Sequence, residues 1–385
     1  MPIAAAQATA RLAVPFDPAH WLADRKARMA QALKRLASAV KAGAIPGGSI
    51  EDGTLKIERL TAAVPPEADD LVLDLYRRLP MARVWGAGLT ASSDGQFFPA
   101  ARQDAAMNLV NAKYGSEPGV KAYTHVSDQF GPFATQTIPA TVNEAPYILD
   151  GLLMNEQGLR VRESFADTGG FTDHVFAITA ALGVRFVPRL RDLPSKRLYV
   201  FDPASVPKEL RGLIGGKVRE GTITRNWPDI LRSAATMVAG ILPPSQLLRK
   251  FAACPRQHDL AVALREIGRV ERTLFIIDWL LDADLQRRAQ IGLNKGDAHH
   301  ALKNALRIGR QGEIRDRTAE GQHYRMAGLN LLAAIIIYWN TAHLGRAVAE
   351  RQTAGLACPP ELLVHTSPLG WAHILLTGEY RWPKP

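Results

Sequence analysis

Apolar residues in this chain recur first at helical steps, then at alternate positions, then at helical steps again. Over residues 17–43, "DPAHWLADRKARMAQALKRLASAVKAG", the residues Leu22, Met29, Leu33, Leu36 and Val40 share one face, which predicts an amphipathic helix. Asp17 stands at its cap, Pro18 at its first position and Gly43 beyond its end. The opposite face carries Arg25, Lys26, Arg28, Lys34 and Arg35 and reads as a solvated surface, with a DNA-binding face as the alternative. "GTLKIERL" predicts a short strand and "AAVPPEADD" a linker.

From Val84 the pattern changes to short strands between turns: "RVWGAGLTASS", "VKAYTHVS", "FATQTIPA", "LRVRESFA", "VRFVPRL" and "KRLYVF". Helical patterns interrupt them at "TVNEAPYILDGLLMN" and "FTDHVFAITAALG". Beyond Trp227 long helices take over to about Arg351. One of them, "DLAVALREIGRVERTLFIIDWLLDADLQRRA", sets Leu260, Leu264, Ile267, Val270, Leu274, Ile277 and Leu281 at three- and four-residue steps as a core-packing stripe. Strands mixed with helices predict an α/β layer structure.

With 385 residues, 47% of them hydrophobic, the chain is long enough for two to three structural units. Its 47 Lys+Arg against 37 Asp+Glu leave a charge of +10, a field that attracts polyanions, nucleic acid first and membrane surface second. The isolated Cys254 and Cys358 offer neither a disulfide framework nor a Cys-rich zinc site, which fits a reducing cytoplasm. The opening residues lack the pattern of a secretory signal, and the apolar runs Leu329–Trp339 and Thr273–Leu281 are too short to span a bilayer, so they read as buried helix segments.

Two phosphate-binding motifs fail. "GLIGGKV" has one residue too few between Gly212 and Gly216-Lys217, and Val218 stands where a metal-binding hydroxyl belongs; no G-x-G-x-x-G follows a strand. The adjacent His299 and His300 diverge on a helix and read as surface residues, since neighbours at i and i+1 do not share a ligand easily. Three acids at element edges remain. Asp94 in "SSDGQFF" closes the first strand, Asp167 in "SFADTGGF" closes the fourth, and Asp297 in "GLNKGDAHHAL" opens a late helix. Each also has a turn or cap reading. If the first and fourth strands are neighbours, Asp94 and Asp167 leave the sheet at one edge, and their mutual repulsion is relieved by a shared hard cation such as Mg²⁺. A third acid from a helix would complete a two-metal site suited to phosphodiester chemistry on DNA.

Taken in order, "SSDGQFF", "YTHVSDQFGPFATQTIPAT", "DTGGFTDHVFA", "RFVPRLRDL", "RQHDLAVALREIGRVERTLFIIDWL", "GLNKGDAHHAL", "GEIRDRT" and "LNLLAAIIIYWNT" resemble the catalytic region of the Tn3 family of bacterial transposases, from about Val84 to Trp382. The resemblance implies a ribonuclease-H-like mixed sheet with a large helical insertion and C-terminal helices, preceded by a short N-terminal helical segment. The corresponding boundaries are 1–80 for the N-terminal remnant and linker, 84–225 for the sheet, 226–290 for the insertion and 291–385 for the C-terminal helices. It implies a DDE triad in which Asp94 and Asp167 match the first two acids, and Asp297 falls where the family's "LNKGE" has glutamate. Aspartate is one methylene shorter, so the second ion is expected to be held more loosely.

The resemblance further implies Mg²⁺ as cofactor, with Mn²⁺ able to substitute, and replicative transposition: hydrolysis at transposon 3′ ends, then joining of each 3′-hydroxyl to target DNA. Partners would be terminal inverted repeats and target DNA, with a homodimer assembled on DNA, no membrane, and a bacterial cytoplasmic location at the nucleoid. Lys295, Lys303, Arg307, Arg310, Arg315 and Arg317, near the third acid, are expected phosphate contacts. Family members look much longer, so residues 1–80 read as a remnant and "RRLPMARVWGAG" as a deletion junction. Two other readings stand beside the transposase core: a non-catalytic DNA-binding product that interferes with transposition, and a general metal-dependent nuclease.

Overall fold

In the computed structural model, residues 17–42, 48–51, 54–57, 70–100, 109–153, 160–253, 259–307, 313–314 and 319–376 are described. The first helix, α1 (Pro18–Lys41), begins as its sequence dictates: the Asp17 carboxylate accepts a hydrogen bond from the Ala19 N–H at 2.9 Å. The elements that follow are the hairpin β1 (Gly48–Glu51) and β2 (Thr54–Ile57), then α2 (Asp70–Arg78) and β3 (Thr90–Pro99). Next come β4 (Leu109–Val110), β5 (Pro118–Ser127), β6 (Pro132–Pro139), α3 (Ala145–Leu153), β7 (Glu163–Ala166), α4 (Asp173–Ala181), β8 (Arg185–Pro188), β9 (Leu198–Val200) and β10 (Ile214–Lys217). The rest is helical: α5 (Glu220–Val238), α6 (Pro244–Ala253), α7 (Asp259–Leu281), α8 (Ala283–Ala305), α9 (Ala319–Thr353) and the single turn α10 (Pro360–Leu363). The chain is thus mixed α/β, with antiparallel and parallel strand pairs.

The chain divides into two compact units. The first comprises residues 1–62, 143–154 and 161–291. Its centre is α7, which buries Leu264, Val270 and Ile277 completely, as the stripe predicts, and also Glu266 and Thr273 on other sides. Helix α4 crosses it at Gly268, where even a methyl group would stand 1.8 Å from the Asp173 carbonyl oxygen. Helix α1 docks through Trp21, whose ring lies 5.4 Å from that of Trp227. Its basic face is not simply solvated: Arg25 is bonded to Glu271, Lys26 to Glu220, and Lys41 to Glu209 at 2.9 Å. Those pairs staple α1 to the unit. Strands β7 and β8 pair in parallel, as do β9 and β10. Ile214–Lys217 of the "GLIGGKV" stretch form β10.

The predicted helix running from α7 onward is broken at Asp282, whose carboxylate accepts from the Leu285 N–H at 2.9 Å and so caps a new helix. That helix, α8, continues from the first unit into the second at Gly292.

The second unit comprises residues 63–142, 155–160 and 292–385. Strand β5 is buried along its whole length between antiparallel neighbours β3 and β6. One core gathers Phe98, Ala100, Val120, Ala122, Ile314 and Met326; another gathers Tyr76, Trp85, Phe130, Leu302, Ala333 and Ile337. The run Leu329–Trp339 lies within α9, which is long and apolar enough to cross a bilayer by length and composition. Its Ala333, Ala334, Ile336 and Ile337 are nevertheless buried in the unit's own core, while Leu331, Leu332, Ile335 and Trp339 are exposed.

Candidate active site

Asp94 does not close its strand. It lies in the middle of β3, opposite Thr124 of β5, and the "SDG" that resembles a turn is extended backbone. Nine residues of continuous pairing with β5 outweigh the local turn preference. Alternation along β3 puts Ser92, Asp94, Gln96 and Phe98 on one face. The Gly95 N–H donates to Asp94 Oδ1 at 2.7 Å and sets the direction of that carboxylate.

Asp297 does not cap a helix either. It sits well inside α8, because the backbone of "GLNKG" is helical and the true cap is Asp282, one helix start earlier. The carboxylate of Asp297 is exposed, and one helical turn on stands His300. Their partner across the gap is Asp94: ligand atoms of Asp94, Asp297 and His300 all lie within 4.8 Å of one another. His300 Nδ1 is 3.5 Å from Asp94 Oδ2.

The packing of α8 on β3 fixes this cluster. Gln96 Nε2 donates to the His300 carbonyl at 3.1 Å and to Asn304 Oδ1 at 2.8 Å. Lys303, 1% exposed, donates at 3.2 Å to Oγ1 of Thr124, the cross-strand partner of Asp94. Arg307 donates to the Phe97 carbonyl at 3.0 Å and lies 4.1 Å from the centre of the Phe98 ring. Lys295 Nζ donates to the Asp128 carbonyl, 4.4 Å from the Phe130 ring centre, and burial pushes its pKa down to about 8. The Asp128 carboxylate in turn accepts from the Gly88 N–H at 2.7 Å and the Leu89 N–H at 3.2 Å, fixing the chain just before β3.

Lys295, Lys303 and Arg307 therefore serve the packing of α8 instead of presenting cations to an outside phosphate. The helical phase of α8 turns Lys303 toward β5 and Lys295 toward the turn after it, and Arg307, just past the helix end, reaches the Phe97 carbonyl of β3. Arg310, Arg315 and Arg317 lie outside the described residues.

The histidine pair also departs from its surface reading. His299 is fully buried, and His300 is 15% exposed at the edge of the cluster. Burial, reinforced by Lys303 and Arg307, drives the pKa of His300 down to about 3, and burial with Lys303 holds His299 well below the ordinary imidazole range. The ring of His300 is neutral at physiological pH and keeps a nitrogen lone pair. Two carboxylates and a neutral imidazole form a donor set that fits a divalent cation. The Ser92 hydroxyl, 3% exposed on the same face of β3, has no hydrogen-bond partner among the described residues, which adds an unmet polar group beside the cluster.

Asp167 belongs to the first unit. As the sequence predicts, it follows the last residue of β7, where its carbonyl accepts from the Gly170 N–H at 2.9 Å. The turn it begins is packed tightly: a methyl group at Gly170 would fall 2.9 Å from both Ala166 Cβ and Ile148 Cδ1. Its carboxylate is half-exposed, caps no backbone N–H, and lies 3.7 Å from Arg189. Sequence reasoning overlooked His300, Ser92 and Gln96. The three-residue step from Asp297 to His300, which puts both on one side of a helix, is the signal the sequence carries for His300.

Residues 50–380 match the family model described as the Tn3 transposase DDE domain. The transposase for transposon Tn501 of Pseudomonas aeruginosa is 51% identical over 298 residues, covering 77% of this chain and 30% of that protein. The transposase for transposon Tn21 of Escherichia coli is 48% identical, covering 79% of this chain and 31% of the relative. The transposase for transposon Tn1546 of Enterococcus faecium is 38% identical, covering 82% and 32%. The chain thus spans about a third of the length of the curated relatives it matches.

Proposed function

This chain belongs to the family of Tn3 transposase DDE domains, and from that premise we propose that it is the catalytic part of a DNA transposase, cutting and joining DNA at Asp94, Asp167 and Asp297. The observation that carries this reading is the meeting of Asp94 and Asp297, far apart in sequence, beside the imidazole of His300. In this reading β3, α8 and β7 are the acid-bearing elements of a ribonuclease-H-like fold, and Asp167 supplies the second acid of the triad. The substrates are transposon ends and target DNA, engaged by a homodimer assembled on the DNA.

Asp94 and Asp297 would hold the divalent cation, Mg²⁺ or Mn²⁺. When bound, such an ion supplies Lewis-acid activation of the attacking oxygen and charge neutralisation at the leaving oxygen. The protein's own contribution is placement. Gln96 ties α8 to β3, Lys303 ties it to β5, and Arg307 just past its end bonds the Phe97 carbonyl of β3, so the separation of the two acids is fixed, and the Gly95 N–H aims one of them. In the hydrolytic step water attacks the phosphorus and the 3′-oxygen departs as a hydroxyl. In the joining step that hydroxyl attacks target DNA and a target 3′-oxygen departs.

The converging acids favour this reading over an inert DNA-binding product, and one experiment separates them. With Mg²⁺ and DNA carrying a transposon end, the chain should nick the end, and it should join a pre-nicked end to target DNA. Asp94→Asn should lower both rates on the order of 10²–10³-fold, the scale expected when a charge-stabilising group is lost, with DNA binding retained in a gel-shift assay. Undiminished cutting by the variant would place the chemistry elsewhere, and cutting that ignores the transposon end would indicate a general nuclease.

A further inference from the structure

A DDE triad holds metal through carboxylates, but the cluster in the second unit contains a nitrogen as well. Resting on the site assignment above, we propose that His300 is a direct ligand of the cation held by Asp94 and Asp297, making a mixed carboxylate–imidazole site that favours Mn²⁺ over Mg²⁺.

The first support is geometric. Asp297 and His300 stand three residues apart on α8 and project from the same side, while Asp94 faces them from β3. An ion with ligand distances of about 2.1 Å keeps its donor atoms roughly 3–4 Å apart. The separation of 3.5 Å between His300 Nδ1 and Asp94 Oδ2 falls in that range, and an Asp297 carboxylate oxygen belongs to the same cluster. The same 3.5 Å is long for a hydrogen bond, so the imidazole is not closely bonded to the carboxylate it faces.

The second support is positional. The turn of α8 that carries His300 is tied to β3 through its own carbonyl by Gln96, which also holds Asn304 one turn later. The ring is thereby delivered to the acids by backbone anchoring, the supporting arrangement that precise ligand placement needs.

The third is independent of the donors. Ser92 lies two residues before Asp94 on the same strand face, 3% exposed, with its hydroxyl unpartnered among the described residues. It is 3.9 Å from the point where a side chain at Gly296, the neighbour of Asp297, would begin. Leaving a buried hydroxyl unsatisfied costs free energy, and a water in the coordination shell of an ion at this cluster would satisfy it. An imidazole ligand disfavours Mg²⁺, which prefers oxygen donors, relative to cations further along the first transition row.

The test is Mn²⁺ binding to the full chain without DNA, followed by electron paramagnetic resonance. The Mn²⁺-loaded wild-type protein should show nitrogen modulation in the pulsed spectrum. His300→Ala should abolish that modulation and weaken Mn²⁺ binding at least about tenfold, with a smaller loss of Mg²⁺ affinity measured by competition. A Mn²⁺ spectrum lacking nitrogen coupling in the wild type overturns the proposal without reference to any variant, as does coupling that persists in His300→Ala. If Mn²⁺ binds, is lost in Asp94→Asn, and shows no nitrogen coupling, only the role of His300 fails and it is a positioning residue for Asp94. If Asp94→Asn leaves Mn²⁺ binding unchanged, or no Mn²⁺ binds, the assignment of the site itself fails too.

Discussion

Asp297 carries its carboxylate from inside α8, three residues before His300 and facing Asp94 of β3. Its chemistry as an acid was legible beside the family's "LNKGE", whereas its setting was not, because the glycines before it look like a turn and are helical. Held within α8, the carboxylate has only its own side-chain length with which to reach an ion. Asp297→Glu adds one methylene on a helix that does not move, and it is expected to raise Mg²⁺-dependent nicking about tenfold, the scale on which metal-site placement affects activity. Initial nicking rates of the two proteins on one end-containing DNA provide the measurement. Equal or lower rates would show that aspartate is matched to its neighbour His300. For His300 the sequence favours a surface position, since burial on α8 depends on which side β3 approaches, and local spacing does not encode that side.

Single-residue constraints at the scale of elements are clearest where α4 crosses α7. Alanine would ordinarily strengthen a helix by about 1 kcal/mol relative to glycine. At Gly268 the added methyl would stand 1.8 Å from the Asp173 carbonyl oxygen, a backbone atom that cannot move alone. Gly268→Ala should therefore be a net loss of about 2–3 kcal/mol, read as a lower denaturant midpoint. A stabilised variant would mean that α4 does not approach α7 so closely.

The period of α1 was readable because its apolar residues keep to one face, and that of α7 because its stripe persists inside a helix buried on several sides, whereas β5, buried on both faces, was marked by its residue types and not by alternation. The break at Asp282 and the extension of β3 through "SDG" were not, since a cap and a turn share their residue types, and only a strand partner or a second helix decides between them. The basic face of α1 is a similar case. Its charges read as solvated, yet Arg25 and Lys26 meet acids from α7 and α5 that lie far along the chain.

Across the molecule, the net charge of +10 favours DNA as a partner but says nothing about which cations are free. Lys303 and Arg307 contribute to that charge while facing the interior of their unit.

Stability should also respond to pH. His174, bonded to the Ala261 carbonyl at 3.2 Å, has its pKa lowered chiefly by burial. The folded state thus resists a proton that the unfolded chain accepts near 6.5, so the stability is present above that value and is lost as pH falls below it. The thermal midpoint should drop between pH 7 and pH 5, and His174→Gln should flatten the slope. A midpoint that rises on acidification would contradict the buried neutral state.

By itself the sequence determined the periodic elements, the family, and the three acids that resemble its triad, because each is written in local spacing or residue identity. Tertiary structure decided that Asp94 sits within its strand, that Asp297 lies inside a helix, and that His300 joins them. Those facts depend on which face of α8 meets β3. Contacts between distant segments set that phase, and no local pattern encodes it.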